Sequence, residues 1–493
     1  MGRRALSALL LMIGFYLLAI GIAAFLLYLP YAEWRYLGRV EIKLALIAVA
    51  AAFGILAAVI PRADAFEPPG PALTPEDHPR LFALISQIAT ATVQTAPKHV
   101  YLVPDLNAWV AQRGGIMGFG SERVMGVGLP LLQTLTVSEF SAVLAHEFGH
   151  FHGGDTMLGP WIYKTREAIG RTLTALSEKH TWLSKPFEWY GTLFLRITHS
   201  VSRQQEFAAD ALAARVVGAP ALATGLKAIH AHAPLFPSYW HSEVAPALRA
   251  GYRPPIASGF QEFLRAPSIA PAVTTLLEEQ MTEATADPLD THPPLSERLS
   301  ALGWYDAPPA SGAEEPAIGL IAHPETMEER LLAHILPRNV SAALQPTAWA
   351  DLGELVLLPT WRELVAGNTS RLTSLRADDL PSLASPAGAL AVSLQLAASP
   401  SVASERHIQE ARYLVGAAVA IALYNRGFRF SAQLGEPVVF SVGPIVVHPF
   451  RLMADFLDNA VSADGWAAVL REGRMEGLTL GELPLPGDAQ NDA

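Results

Sequence analysis

The sequence contains no cysteine, which excludes disulfides, thiolate metal sites, iron–sulfur clusters and a cysteine nucleophile. It is also poor in charge. Only 16% of its 493 residues are Asp, Glu, Lys or Arg, against about 25% in a typical soluble protein. What charge there is leans acidic, 46 Asp and Glu against 35 Lys and Arg, so nucleic acid is not expected as a partner. Any metal must be held by His and carboxylates.

Apolar side chains are plentiful, 51% of the chain, and they concentrate at the front. Residues 5–29 carry no charge and are long enough to cross a hydrocarbon core of about 30 Å as a helix. A second apolar stretch, 44–60, is near the short limit of about 17 residues. Trp34 and Tyr36 between them suit an interfacial turn. A cleaved signal peptide has an apolar region of only about 7–15 residues, so the expectation is a retained transmembrane helical hairpin. Charge does not orient it: Arg3, Arg4 and Arg62 flank the pair, while Arg35, Arg39 and Lys43 lie in its loop.

Breaker-rich stretches divide the rest. The expected organisation is mainly helical α+β: a hairpin at 1–66, a catalytic domain at 67–306, a linker at 307–317 and a C-terminal α+β accessory domain at 318–493. Helix-like spacing covers 79–95, and strands are expected at 99–103 and 123–127. Residues 411–424 predict a buried helix, too short to span a bilayer and bracketed by Arg412 and Arg426. Short strands are expected within 428–447, and Ser462 is placed to cap a last helix.

The informative run is 136–155, T-V-S-E-F-S-A-V-L-A-H-E-F-G-H-F-H-G-G-D. Thr136 and Glu139 form a capping-box signal, so a helix should begin near Val137, with Gly153 and Gly154 as its stop. On it His146 and His150 are one turn apart and share a face. Two such imidazoles can both reach one Zn²⁺, and Glu147 beside them is a candidate general base. A catalytic zinc takes a third protein ligand and keeps a position for water. Glu206 can supply that ligand from a downstream helical stretch. Asp210, one turn on, can accept a hydrogen bond from the second nitrogen of a ligand histidine. The alternative, two acids solvating a helix face, fits poorly with the apolar flanks Phe207, Ala208, Ala209 and Leu212.

These segments, H-E-F-G-H-F-H-G-G-D-T and S-R-Q-Q-E-F-A-A-D-A-L-A, with T-H-P-P-L-S-E-R-L-S-A-L at 291–302, resemble the HtpX and CAAX prenyl endopeptidase family of membrane zinc metallopeptidases. Asn107-Ala108 and Gly128-Leu129 are similar to further family positions, and the likeness runs over roughly residues 76–302. The resemblance implies a gluzincin-type fold with one Zn²⁺ per chain, held by His146, His150 and Glu206. Glu147 would then be the base, Asp210 the partner of a ligand histidine, and Asp155 structural. It also implies a small sheet whose edge strand pairs with an extended protein substrate. That edge is expected at Arg123, Val124, Met125, Gly126 and Val127. His292 could hydrogen-bond the tetrahedral intermediate, occupy the open metal position in a latent state, or be a turn histidine. Arg298 is placed to pair with an acid such as Asp210.

The implied activity is peptide hydrolysis, in membrane protein quality control, on the cytosolic face of a bacterial inner membrane. The competing class is a non-proteolytic, zinc-stabilised membrane scaffold or chaperone, which has no use for Glu147 or an open metal position. The chain departs from the family in one respect. HtpX-like members place two membrane spans between the zinc helix and the Glu helix, but Lys164, Arg166, Glu167, Arg171 and Lys185 exclude that here. Residues 157–201 are expected instead to form a lid over the cleft, to rest on the bilayer surface, or to pack as ordinary helical core. His152 faces away from His150, and His199 is expected in the core or at the surface.

Overall fold

The computed structural model describes residues 3–60, 66–114, 120–151, 159–177, 181–282, 293–304, 314–386 and 388–482. The chain is mainly helical with small sheets, and it divides into two compact units, Met1–Pro234 with Thr274–Arg338, and Leu235–Val273 with Asn339–Ala493.

In the first unit, α1 (Arg3–Leu37) and α2 (Ile42–Val59) form the expected helical hairpin, and both are long and apolar enough to cross a membrane. Helix α1 continues through Pro30 and the aromatic residues that the sequence places in an interfacial turn. One stripe of each helix is buried: Met12, Phe15, Ala19 and Ala23 on α1, and Ala48, Ala52 and Ile55 on α2. The opposite stripe stays apolar and exposed, with Leu17 at 65% and Phe53 at 61%. Spacing of three and four residues on both helices is what turns one face inward.

After β1 (Ala72–Leu73) and α3 (Pro79–Ala91) the chain builds a four-stranded sheet from β2 (His99–Val103), β3 (Ala108–Arg113) and β4 (Glu122–Gly128). The strand order is β1-β2-β4-β3. Strand β4 runs parallel to β2 and antiparallel to β3, with Val110 opposite Met125. The edge assignment of 123–127 is therefore overturned. Both sides of β4 are taken up by ladder hydrogen bonds, which leaves it no free backbone for another chain; among the described residues the outer strands are β1 and β3, and β3 is the one beside β4.

Helices α4 (Leu129–Thr134) and α5 (Val137–Gly149) follow, then α6 (Gly159–Ser177), α7 (Thr181–Val216) and α8 (Ala219–His232). Helix α6 and the first half of α7 pack against the hairpin. Phe187 and Phe194 of α7 and Ala168 and Ile169 of α6 share one apolar core with α1 and α2. The Tyr190 hydroxyl donates to the Leu11 carbonyl, and the Arg171 guanidinium to that of Ala58. Of the three expectations for this region, packing as helical core is the one observed for its described residues. The side chain of His199 lies outside the described residues, as do His152 and Asp155.

The second unit takes in Leu235–Val273, a stretch that the sequence assigns to the catalytic domain. Aromatic packing explains it, because Tyr239 meets Phe260, Phe263 and Trp349 at 5.3, 5.3 and 5.8 Å between ring centres. The expected buried helix is Glu405–Asn425, and the expected strands are Arg429–Ser431, Val439–Val442 and Ile445–Val447 in a meander. Ser462 caps helix Ala463–Glu472 by accepting from the Gly465 amide. Most of the expected linker, residues 307–313 of 307–317, lies outside the described residues. Two π-helical turns, Trp240–Val244 and Gly353–Leu357, each precede a helix whose second residue is proline, Pro246 and Pro359. A proline N–H is missing where the helical register needs a donor, so the register slips by one residue.

Candidate active site

Helix α5 starts where its capping box dictates. The Thr136 hydroxyl accepts the Glu139 amide at 3.3 Å, and the Glu139 carboxylate accepts the Thr136 amide at 2.9 Å. It ends at Gly149, with His150 in the C-cap position, before the glycines 153 and 154, which lie outside the described residues. His146 is buried and the His150 side chain is 30% exposed. Their rings stand 4.8 Å apart between centres and nearly perpendicular, at 84°. His146, Glu147 and His150 each offer a ligand atom, and these atoms lie within 4.8 Å of one another.

Helix α7 crosses α5 at very close range. A Cβ on Gly149 would lie 2.7 Å from the Ala209 Cα, so only glycine lets the two backbones meet there. That contact sets the spacing between the histidines and Glu206, one turn from Ala209. One Glu206 oxygen is 3.4 Å from His146 Nε2 and the other 3.5 Å from His150 Nε2. Direct N–H···O hydrogen bonds cluster near 2.9–3.0 Å. Ligand atoms bonded at about 2.0–2.1 Å around a tetrahedral metal stand about 3.4 Å apart. The Glu206 carboxylate thus faces both imidazoles, one oxygen toward each, at separations longer than a direct hydrogen bond. Gly149→Ala is expected to destabilise the fold by about 1–3 kcal/mol through overpacking and to weaken metal binding with it. Paired thermal unfolding and metal titration would check this, and a variant with unchanged metal affinity would refute the spacing role.

A buried cluster stands behind His146. Asp210, only 2% exposed, accepts from His146 Nδ1 at 2.8 Å. Arg298, on the short helix Leu295–Leu302, grips the same carboxylate through Nε at 2.8 Å and Nη2 at 2.6 Å. Its Nη2 also lies 3.8 Å from Glu206. The pairing of Arg298 with Asp210 is thus present, 88 residues apart in sequence. Burial alone would raise the Asp210 pKa, but the hydrogen bonds from Arg298 and His146 hold it well below the usual carboxylate range. Burial alone would lower the His146 pKa; the hydrogen bond to Asp210 and the neighbouring Glu206 carboxylate outweigh it and raise it to about 9. A field that favours a cationic ring there also favours a divalent cation between His146 and Glu206.

Glu147 lies on the sheet side of α5. Burial pushes its pKa up to about 7; His146 works against the rise and the Glu206 carboxylate adds to it. The Val110 amide of β3 donates to its carboxylate. Sequence reasoning missed this contact and the edge role of β3. The available signal was the Gly-rich run after Arg113, which marks Ala108–Arg113 and Glu122–Gly128 as a β-hairpin. His292 lies outside the described residues.

No curated protein and no solved structure matches the chain. The model of peptidase family M48 matches residues 75–305, a span that contains the His-Glu-x-x-His helix, Glu206, Asp210 and Arg298. That match, to the family that contains HtpX and the CAAX prenyl endopeptidases, spans just under half of the chain and supports a metallopeptidase domain in it.

Proposed function

We propose that the chain is a membrane-anchored, zinc-dependent endopeptidase. The observation that carries this reading is the convergence of His146, Glu147 and His150 within 4.8 Å, with the Glu206 carboxylate turned toward both histidines, one oxygen to each. His146, His150 and Glu206 would hold the ion, a nitrogen and oxygen donor set that suits Zn²⁺ and leaves a fourth position open. When bound, the ion polarises the scissile carbonyl and acidifies water. Glu147 takes the proton of the attacking water and passes it to the departing amine. A carboxyl with an elevated pKa in a half-buried site suits both halves of that transfer. Asp210, fixed by Arg298, keeps the Nδ1 hydrogen of His146 occupied and turns Nε2 toward the ion.

The free edge of β3 supports pairing with an extended substrate, whose backbone would run past Val110 and so past Glu147. The exposed apolar stripes of α1 and α2 support anchoring in a bilayer. Removal of metal provides the test. The detergent-extracted chain should contain one zinc per molecule and cleave an unfolded protein such as casein. Exhaustive dialysis against EDTA should lower cleavage by about 100-fold or more, and added zinc should restore it. Undiminished cleavage by metal-free chain would end the proposal.

A further inference from the structure

The second unit carries a groove of about 930 Å³ that the peptidase chemistry does not use. It lies where the helix Ile256–Arg265 ends, beside the π-helical turn Gly353–Leu357 and the strand Arg429–Ser431. Its lining combines two kinds of group. Trp349, Phe430 and the buried Leu434 provide apolar surface. Gly353 is what lets Phe430 lie there, since a Cβ on it would come within 2.7 Å of the phenyl ring. Around this surface stand four carboxylates, Glu262, Asp351, Glu354 and Glu436, against one guanidinium, Arg265. Glu436 accepts from the Ser268 amide and hydroxyl, both at 2.8 Å. Among the described residues no Lys or Arg lies in ion-pair range of Glu262, Asp351 or Glu354, so their charge is not neutralised from within the chain.

The third component is backbone. Strand Arg429–Ser431 is an outer strand of the meander, paired on one side only, with Ser431 in the groove wall. An apolar surface, an excess of three negative charges and a free strand edge together select for one ligand chemistry. We propose that this groove docks an extended polypeptide segment in which Lys or Arg side chains flank an apolar anchor. The anchor packs on Trp349 and Phe430. The cations meet the carboxylates and the aromatic faces, and the segment's backbone adds to the strand. The segment's role as recruited substrate rests on the peptidase reading, whereas its binding does not.

The test separates the two. Full-length chain carrying Glu147→Gln, in detergent, is titrated with fluorescein-labelled peptides of alternating Lys and Leu or alternating Glu and Leu, and anisotropy is read. The Lys peptide should bind and the Glu peptide should not. The double variant Asp351→Lys/Glu354→Lys should weaken binding by at least about tenfold, and Trp349→Ala should weaken it at high salt as well. Glu363→Lys, an exposed reversal outside the groove, should leave affinity unchanged. Circular dichroism of each variant controls for folding. Equal binding of both peptides, equal weakening by Glu363→Lys, or full displacement of the Lys peptide by spermidine, a cation with no backbone to pair, would each overturn the proposal. Residual proteolysis by the Glu147→Gln chain would count against the catalytic reading and leave the docking result intact.

Discussion

Replacement of Glu147 by Gln is expected to abolish peptide hydrolysis while leaving metal content and fold intact. The two side chains have the same shape, and the Gln carbonyl can still accept the Val110 amide that Glu147 accepts. What is lost is the ability to take a proton and return it, a contribution worth about 10²–10⁴ in rate. Stability should change little or rise slightly. Burial already disfavours the charged carboxylate enough to lift its pKa to about 7, and the amide removes that penalty. His146→Ala makes the necessary contrast, since it should lose activity and metal together. Turnover numbers and zinc content measured on the same preparations decide the matter: cleavage near the parent rate by Glu147→Gln would remove this residue from the chemistry.

The legible part of the molecule is the part built from local rules. Helix α5 begins at its capping box because Thr136 and Glu139 are three residues apart, and the two histidines share a face because they are four apart. Asp210 could be paired with a histidine because an acid flanked by Phe207, Ala209 and Leu212 would be buried and need a partner. The illegible part depends on pairing between distant segments. A short apolar strand does not declare whether one or both of its edges are occupied, so 123–127 reads from sequence as an edge that β3 in fact holds. The region after α5 was excluded as a membrane span by its charges, but its partner could not be read. Its apolar stripe, Phe187 and Phe194, serves a hairpin at the far N-terminal end of the chain. The division of units was hidden for the same reason: Tyr239 and Trp349 are far apart in sequence and meet only in the fold.

Helix α7 carries that packing toward the candidate site. Phe187 and Tyr190 lie against the hairpin, and Glu206 follows about 24 Å further along the same helix at 1.5 Å per residue. The proposed metal ligand Glu206 and an apolar contact with the hairpin are thus mounted on one element, so a shift of α7 along the hairpin is carried to Glu206. Extraction conditions that disturb the hairpin should for that reason be judged by metal content as well as by solubility.

Removal of Arg298 is expected to produce the largest loss of stability among single substitutions in the site. Arg298→Ala would leave the Asp210 carboxylate, 2% exposed, with its two guanidinium bonds gone and only His146 as partner. Breaking a buried pair in this way costs about 3–5 kcal/mol, because the remaining charge stays desolvated. Arg298→Lys keeps the charge but not the two-pronged grip, and should recover only part of the loss. The informative variant is Arg298→Ala combined with Asp210→Ala. With both charges gone no buried ion is stranded, so stability should return toward the parent value. Metal affinity should not return with it. His146 would have lost the acceptor that holds its Nδ1 hydrogen, which lowers metal affinity by about 10- to 100-fold. Denaturant unfolding of the metal-free chain, paired with competitive zinc titration, reads the two quantities separately. If the double variant regains both, Asp210 serves only to neutralise Arg298. If it regains stability alone, the pair exists to aim His146.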